Sequence, residues 1–266
     1  MDKPKVCILR TAGTNCDQET AFAFEKAGSL AELVHINKLI SRSSNLDNYH
    51  ILALPGGFTY GDDIAAGKIL ANELRHRLIE QIRRFIQKGR IIIGICNGFQ
   101  VLVKSGLLPG NLDLTQEVSL TMNDSAKFED RWVYLKAQSS KLKTKRCVWT
   151  KGLPDIIYLP VAHGEGKFFT MDNSVLERLK KNGQIVFQYS NPRGALSVYP
   201  DNPNGSQESI AGICDDTGRI LGLMPHPERH IDVFQHPRRS SENKQKTEGD
   251  GLLIFRNGVE YARRNL

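Results

Sequence analysis

The pattern of apolar and polar residues divides the chain into two halves near residue 106. In the first half, short apolar runs alternate with segments whose apolar residues recur at helical spacing. The runs predict strands at 5–9, 33–36, 51–54 and 91–95, and the periodic segments predict helices over 17–27 and 69–88. Strands that alternate with helices through short loops are typical of a parallel, doubly wound sheet with right-handed crossovers.

In the second half, turn residues separate the apolar runs. These runs predict strands at 114–121, 132–136, 185–189, 209–214 and 220–224, with a hairpin turn at 215–218 and a closing helix over 251–264. We therefore predict an α/β fold with an open, mostly parallel, doubly wound sheet that carries an antiparallel extension. Residues 1–266 are expected to form a single domain, in which the polar segment 237–250 is a mobile loop.

Composition narrows the class of protein. With 266 residues, 40% of them hydrophobic, the chain is long enough to bury a sizeable core. It contains no run of eighteen apolar residues, which predicts no membrane span, and its first residues lack the anatomy of a signal peptide. The five cysteines are an odd number without Cys-x-x-Cys spacing. We therefore expect neither a disulfide framework nor a metal site, and a reducing cytoplasm as the location.

The net charge of +7 is concentrated in one segment. Residues 131–151 contain seven lysines and arginines and no acidic residue, which equals the whole excess of positive charge. This segment lacks a recognised nucleic-acid motif and has few aromatic residues for base stacking. A solvated loop and hairpin is the favoured interpretation, and a contact with an acidic protein partner or a phosphate is the second. We expect no nucleic-acid partner.

The most informative sequence for function is Gly94-x-Cys96-x-Gly98, which ends the apolar run at 91–95 and precedes a short amphipathic segment. This is the pattern of a nucleophile elbow with cysteine in the place of serine. The glycines let the strand and the following helix pass close to the turn. Backbone N–H groups and the helix dipole at such a position favour the thiolate, which is the nucleophilic form. We predict that Cys96 is a catalytic nucleophile.

A thiol nucleophile needs a base and a group that orients the base. The sequence Pro225-His226-Pro227-Glu228 follows directly after an apolar strand. If the prolines keep this segment extended, His226 and Glu228 project to the same side. The carboxylate can then accept from one imidazole nitrogen while the other nitrogen faces the thiol. An isolated His-x-Glu is more often a surface pair, and the elbow makes the catalytic interpretation the stronger one here.

Acyl transfer also requires N–H donors for the developing oxyanion. The N–H of Asn97 directly follows the nucleophile, and the glycines of 55–57, which follow another buried strand, can supply a second donor. His163 is a competing histidine, for which a supporting or partner-contacting role is favoured over a structural one and catalytic base is least favoured. The other cysteines are expected to be inert, although Cys16 lies on the first loop of the ligand-binding edge.

These motifs together resemble the class I (triad) glutamine amidotransferase family. Several segments resemble more closely the family of glutaminase subunits of phosphoribosylformylglycinamidine synthase, and they span nearly the whole chain in order. These segments are TNCD at 14–17, GGFTYGDD at 56–63, GICNGFQ at 94–100, KFEDRW at 127–132, VAHGEG at 161–166 and GLMPHPER at 222–229. The segments GFTYGDD and AHGEG are much more specific than the triad itself.

The resemblance implies a flavodoxin-like core and glutamine as the substrate. Cys96 would attack the side-chain amide of glutamine and form a γ-glutamyl thioester, while His226, assisted by Glu228, shuttles protons. Water would then release glutamate. The resemblance also assigns four residues to the oxyanion and glutamine positions: Gly57, Phe58, Asn97 and Gln100.

The resemblance further implies that the ammonia passes to a separate synthetase subunit in de novo purine synthesis, often with a small third subunit. ATP and Mg would be used by that synthetase, and this chain would carry no cofactor. Two alternatives stay open: a triad glutaminase subunit that serves another acceptor pathway, and a silent amidotransferase-like scaffold. The segments specific to the subunit family count against the first alternative, and the intact Cys, His and Glu count against the second.

Overall fold

The computed structural model of the chain describes residues 3–110, 113–137, 147–239 and 247–266. Their strands are β1 (Lys5–Arg10), β2 (Leu30–His35), β3 (Ile51–Leu54), β4 (Ile91–Ile95), β5 (Val118–Thr121), β6 (Glu129–Ala137), β7 (Ile156–His163), β8 (Lys167–Thr170), β9 (Ile185–Ser190), β10 (Ile210–Cys214) and β11 (Ile220–Leu223). Their α-helices are α1 (Asp17–Lys26), α2 (Ile36–Ile40), α3 (Lys68–Glu73), α4 (Ile79–Gln87), α5 (Asn97–Lys104), α6 (Asn173–Lys181) and α7 (Leu252–Asn265).

Nine of these strands form one continuous sheet in the order β2-β1-β3-β4-β11-β10-β9-β6-β7. The first five strands in this order run parallel to one another, and the strands from β11 to β7 pair antiparallel. The predicted fold class, an open α/β sheet with an antiparallel extension, is therefore confirmed.

Three strands of the parallel half place their carboxyl ends side by side. Strands β3 and β4 are buried at every residue, and α5 packs against both of them. In the strand register, Leu54 pairs with Gly94, and Ile95 pairs with Leu223. The loops that follow β3, β4 and β11 therefore leave the sheet at one edge, which is where ligands bind in open α/β folds.

The predicted helix over 69–88 is interrupted. Helix α3 ends at Glu73, a π-helical turn follows over Leu74–Leu78, and α4 begins at Ile79. The apolar residues on both sides of this turn stay buried in one core. The apolar pattern therefore continues across the wider turn, and helical periodicity alone could not reveal it.

The second half differs more from the prediction. Strand β5 begins at Val118 and pairs with β8 in a separate two-stranded sheet, so this predicted strand is not part of the antiparallel extension. The sequence analysis also missed β7, β8 and α6. Strand β7 contains Pro160 and lies at the edge of the large sheet, the position where proline is tolerated in a strand. This proline hid the strand from an analysis based on apolar runs.

Some predictions concern residues outside the described ranges. The polar segment 237–250 includes residues 240–246, which lie outside the described ranges. The basic segment 131–151 includes residues 138–146, which also lie outside these ranges. The mobile loop and the single domain over 1–266 therefore stay predictions. Among the described residues, no helix combines the length and the apolar character needed to cross a bilayer.

Candidate active site

Cys96 lies between β4 and α5 in a strained backbone conformation. Its φ of 52° and ψ of −106° fall in a region that residues other than glycine rarely occupy. The N–H of Cys96 donates to the carbonyl oxygen of Leu223 at 2.8 Å, so the ladder between β4 and β11 continues up to the residue that turns. The thiol is buried, and its Sγ lies 3.6 Å from the carbonyl oxygen of Ala162. The structure thus forms the elbow that the sequence predicts.

Two glycines make room for this turn. A Cβ added at Gly98 would lie 1.9 Å from the carbonyl oxygen of Leu54, and a Cβ added at Gly94 would lie 2.6 Å from the carbonyl oxygen of Gly98. Both obstacles are backbone atoms, which cannot move aside as a flexible side chain can. The close approach of α5 to β3 and β4 therefore requires glycine at both positions.

We expect Gly98→Ala to lower the free energy of unfolding by about 3 kcal/mol, the upper end of the usual cost of overpacking, because the added methyl group meets backbone. Gly164→Ala is the matched control, since its Cβ would meet only a ring atom of Phe128 at 4.0 Å. Urea denaturation of the two variants measures the difference. Equal loss of stability in both would contradict the steric role of Gly98.

His226 and Glu228 meet as predicted, but the chain between them is not extended. Nδ1 of His226 lies 2.6 Å from Oε1 of Glu228, and both side chains are buried. Residues Pro227–Arg229 form a 3-10 turn, so the two side chains meet across a turn and not along one side of a strand. The N–H of His226 donates to the carbonyl oxygen of Pro160 at 2.8 Å. Edge strand β7 therefore fixes the backbone that carries the imidazole.

The charges around His226 favour its protonated form. Burial by itself lowers the pKa of the imidazole, but the Glu228 carboxylate and then the nearby sulfur atoms of Cys96 and Cys16 raise that pKa well above its ordinary value of 6.5. The site therefore favours the imidazolium form of His226, and the Glu228 carboxylate that stabilises this form lies at Nδ1 of the ring.

The two predicted oxyanion donors lie on backbone that their neighbours hold in place. Asn97 begins α5, and N–H groups in the first turn of a helix have no partner within that helix. Gly57 has a φ of 143°, and a Cβ there would lie 2.5 Å from both Asn15 N and Gly13 O. The next N–H, that of Phe58, donates to Gly13 O at 2.7 Å. The roles of Gly57 and Asn97 as oxyanion donors stay predictions.

The side chain of Asn97 has a function that the sequence analysis missed, because it joins the glycine-rich loop at 56–63 to α5. Its Oδ1 accepts from the N–H and the hydroxyl of Thr59 at 3.3 and 2.7 Å. Its Nδ2 donates to Asp62 Oδ1 and to Gln100 Oε1, each at 3.0 Å. Burial raises the pKa of the Asp62 carboxyl, and the hydrogen bonds that this carboxyl accepts partly offset the increase. The loop that carries Gly57 is thus held by the residue that follows Cys96.

The two predicted glutamine-pocket residues lie in different environments. Gln100 is buried, and its Nε2 donates to the carbonyl oxygen of Glu165 at 2.5 Å. Phe58 is 46% exposed, and its ring centroid lies 6.3 Å from that of Phe128. Gln100 therefore lies inside the network around the elbow, whereas Phe58 lies at its surface. Contact of either residue with glutamine stays a prediction.

Lys104 was not singled out from the sequence. Its Nζ donates to the carbonyl oxygen of Ala66 at 2.5 Å and lies 3.6 Å from the carboxylate of Glu165. Burial lowers the pKa of this lysine. It therefore connects the end of α5 to the loop before α3 and to the loop between β7 and β8. The available signal was its place one turn after Gln100, with only apolar residues at 101–103 between them.

His163 lies in the same buried region but does not have the properties of a base. Its Nδ1 lies 3.1 Å from Oδ1 of Asn123, which also accepts from the N–H of Gly166 at 3.0 Å. Burial, and then the charge of His226, lowers the pKa of His163 from 6.5 to about 3. The imidazole is therefore neutral at physiological pH. These observations support the structural and supporting interpretations of His163 over a role as catalytic base.

We expect His163 to make the protein less stable in mild acid. The pKa of His163 is about 3 in the folded chain and about 6.5 in the unfolded chain. Below pH 6.5 the unfolded chain therefore binds more protons than the folded chain, and the free energy of unfolding decreases as the pH is lowered. From pH 7 to pH 5 this group should remove about 2 kcal/mol from the free energy of unfolding. Urea denaturation at both pH values should show a smaller loss for His163→Asn and an unchanged loss for His76→Asn, which alters an exposed histidine. An equal loss in all three proteins would contradict the expectation.

Cys16 lies beside His226 and Glu228, on the side of Nδ1. Its buried Sγ lies 4.0 Å from Nδ1 of His226 and accepts from Nη2 of Arg229 at 3.1 Å. Burial raises the pKa of this thiol to about 11. Arg229 in turn donates to Glu19 at 2.8 Å. This hydrogen bond joins the turn after β11 to α1. Within the described residues, Cys16, His226 and Glu228 form the one group of side chains that could share a metal ion.

A thiol on an elbow, an imidazole that can move its proton and a carboxylate that orients the imidazole define a cysteine-dependent acyl-transfer enzyme of the triad type. The model of the CobB/CobQ-like glutamine amidotransferase domain matches residues 3–262. The chain belongs to this glutamine amidotransferase family. The resemblance inferred from its sequence motifs is thereby confirmed.

Individual relatives are similar over their full length. A phosphoribosylformylglycinamidine synthase subunit PurQ from Dehalococcoides mccartyi is 51% identical over 263 residues, which are 99% of each chain. A subunit of the same name from Methanococcus maripaludis is 43% identical over 272 residues and covers 97% of each chain. Among solved structures, a chain in the structure of PurLQS from Thermotoga maritima is 31% identical, with a TM-score of 0.71. That match covers 97% of this chain and 99% of the other.

Proposed function

We propose that this chain is the glutaminase subunit of phosphoribosylformylglycinamidine synthase. It hydrolyses glutamine and passes the ammonia to an ATP-dependent synthetase subunit in de novo purine biosynthesis. The observation that carries the proposal is the buried Cys96–His226–Glu228 arrangement in a chain that is 51% identical, over 99% of its length, to a subunit of that name. Because both the reaction machinery and the whole-length similarity point to one activity, we favour it over another acceptor pathway.

The geometry supports a two-stage reaction. The Cys96 thiolate attacks the carboxamide carbon of glutamine, and the oxygen becomes an oxyanion that accepts from the N–H groups of Asn97 and Gly57. The His226 imidazolium then donates its proton to the amide nitrogen, the C–N bond breaks, and ammonia leaves a γ-glutamyl thioester. In the second stage, neutral His226 accepts a proton from water as the oxygen attacks the thioester. The C–S bond breaks, glutamate leaves and the thiolate returns.

The proposal includes the partners and the location of the enzyme. Glutamine is the substrate, and the ammonia acceptor lies on a separate synthetase subunit that uses ATP and Mg, with a small third subunit in the complex. The name PurLQS of the structural relative supports such an assembly. This chain itself needs no cofactor for thioester chemistry. The free thiols of all five cysteines are compatible with a reducing cytoplasm.

Covalent labelling tests the nucleophile and the substrate together. The chain is treated with 6-diazo-5-oxo-norleucine, a reactive glutamine analogue, with and without excess glutamine, and its peptides are mapped by mass spectrometry. We expect one adduct, on Cys96, that glutamine suppresses and that Cys96→Ala abolishes. Labelling at another residue, or no labelling even with the synthetase and its nucleotide substrates added, would contradict the proposal.

A reconstitution assay tests the acceptor. The chain is combined with the synthetase subunit, the small subunit, ATP, Mg and formylglycinamide ribonucleotide, and formation of the amidine product is measured with glutamine as the nitrogen source. We expect product formation that depends on this chain when glutamine, but not ammonia, is supplied. Labelling of Cys96 that glutamine suppresses, without any amidine product, would indicate a glutaminase of another acceptor pathway.

A further inference from the structure

The side of His226 that faces away from Cys96 is lined by a second thiol. Sγ of Cys16, Nδ1 of His226 and a carboxylate oxygen of Glu228 all lie within 4.8 Å of one another. Zinc bonds to sulfur and nitrogen are about 2.0–2.3 Å long, so ligand atoms around one tetrahedral zinc lie within about 4 Å of each other. The distance of 4.0 Å between Cys16 Sγ and His226 Nδ1 already meets this requirement.

The donor types and their burial also suit a zinc ion. Thiolate, imidazole and carboxylate are the three ligand classes that proteins use for zinc. The three side chains are 1 to 2% exposed. Oε2 of Glu228 is buried and has no hydrogen-bond partner, which leaves one lone-pair donor available at this cluster. One thiolate and one carboxylate balance the two positive charges of the ion.

Arg229 supports the thiolate form of Cys16. Its Nη2 lies 3.1 Å from Sγ, and its Nε is held at 2.8 Å by Glu19. A guanidinium that donates to a sulfur stabilises the negative charge which that sulfur must carry as a ligand. The guanidinium can keep this hydrogen bond when the sulfur is bound to a metal, since a thiolate has more than one lone pair.

We propose that Cys16, His226 and Glu228 form an inhibitory zinc site on the far side of the catalytic imidazole. Zinc replaces the thiol proton of Cys16 and the proton on Nδ1 of His226, and both protons leave to solvent. The Nδ1–Oε1 hydrogen bond is exchanged for two metal bonds. A neutral imidazole bound through Nδ1 keeps one proton on Nε2, and giving that proton to the amide nitrogen would leave an imidazolate. The zinc-bound ring therefore cannot act as the acid of the first stage. Glutamine hydrolysis therefore stops.

Metal binding is tested first by a readout that does not depend on activity. Cobalt(II) replaces zinc as the probe, because thiolate ligation produces a sulfur-to-metal charge-transfer absorption band. We expect the band in the wild-type chain and in Cys96→Ala, and its loss in Cys16→Ala and Cys16→Ser. A band that persists in both Cys16 variants, or that disappears in Cys96→Ala, would overturn the proposed ligand set. No band in the wild-type chain would also overturn it.

Zinc inhibition is the second test, and this consequence rests on the proposed glutaminase function. Zinc chloride is titrated into the complex with the synthetase, and glutaminase activity is expressed relative to the metal-free rate of each variant. We expect the inhibitory concentration to rise at least about 100-fold in Cys16→Ala, because loss of an outer-sphere partner alone costs 10–100-fold. Cys214→Ala is the control, since Cys214 pairs with Leu221 away from the carboxyl end of β11.

The two tests separate the two proposals. If the cobalt band behaves as expected but the chain hydrolyses no glutamine, the metal site stands and the proposed function fails. If glutamine is hydrolysed and zinc inhibits wild type and Cys16→Ala at equal concentrations, the ion acts through Cys96 and His226 alone. That outcome would overturn the inhibitory site at Cys16 and leave the glutaminase function intact.

Discussion

Cys96→Ala is expected to reduce glutamine hydrolysis by about 10⁶-fold, to the limit of detection, because the substitution removes the sulfur that forms the thioester. Alanine keeps the Cβ of the native residue, so the strained φ of 52° at this position is no harder to adopt. The elbow, which Gly94 and Gly98 make possible, therefore stays in place. The defect should be chemical and not structural.

The measurement compares two nitrogen sources in the complex with the synthetase. With glutamine, the Cys96→Ala complex should form no amidine product, and with ammonium chloride it should form product at the wild-type rate. Circular dichroism and urea denaturation serve as the control for folding. Equal loss of both activities in a folded variant would show that Cys96 acts in assembly or structure, and would contradict its role as nucleophile.

Glu228→Gln is expected to reduce the turnover of glutamine by about 10³–10⁴-fold. The carboxylate lies 2.6 Å from Nδ1 of His226, and its charge is a principal reason that the pKa of this buried imidazole is raised. A neutral amide of the same shape cannot compensate the positive charge of the imidazolium. Its NH2 group can also select the wrong tautomer of the imidazole. The imidazolium form of His226 is therefore destabilised while the packing is kept.

Glu19→Gln is the matched control for this variant. Glu19 binds Arg229, the neighbour of Glu228, through a partly exposed ion pair at 2.8 Å, so its loss perturbs the same turn without touching the imidazole. We expect Glu19→Gln to change turnover by less than about 5-fold, in line with the small free energy of exposed pairs. A pH profile of kcat should show a lowered imidazole pKa in Glu228→Gln only. Similar effects of the two substitutions would mean that Glu228 serves only to hold the turn.

Much of the fold and of the triad could be predicted because the signals are local in the chain. The apolar runs of β3 and β4 are continuous since both strands are buried at every residue. The two glycines around Cys96 are required by contacts with backbone within a few residues of the turn and with the end of β3. The two-residue separation of His226 and Glu228 allows contact in a turn as well as in a strand. The predicted contact between His226 and Glu228 is therefore present, although the predicted extended backbone between them was wrong.

Other features could not be predicted because they depend on partners distant in sequence. Strand β5 pairs with β8 and not with the large sheet, and a pairing register is decided by which surfaces the rest of the fold leaves available. The π-helical turn at Leu74–Leu78 keeps the apolar face intact, so no change in periodicity marks it. The contacts of the Asn97 side chain with the 56–63 loop likewise have no sequence signature.

The sequence by itself determined the class of fold, the elbow at Cys96, the contact between His226 and Glu228 and the resemblance to glutamine amidotransferases, because each depends on residue types at short spacing. Only the tertiary structure decided the protonation of the histidines and the neighbours of the thiols. His163 is neutral, and His226 holds its proton more strongly, because desolvation and nearby charges differ between two buried sites. Cys16 lies 4.0 Å from Nδ1 of His226 across 210 positions of the chain, a contact that chain folding alone creates.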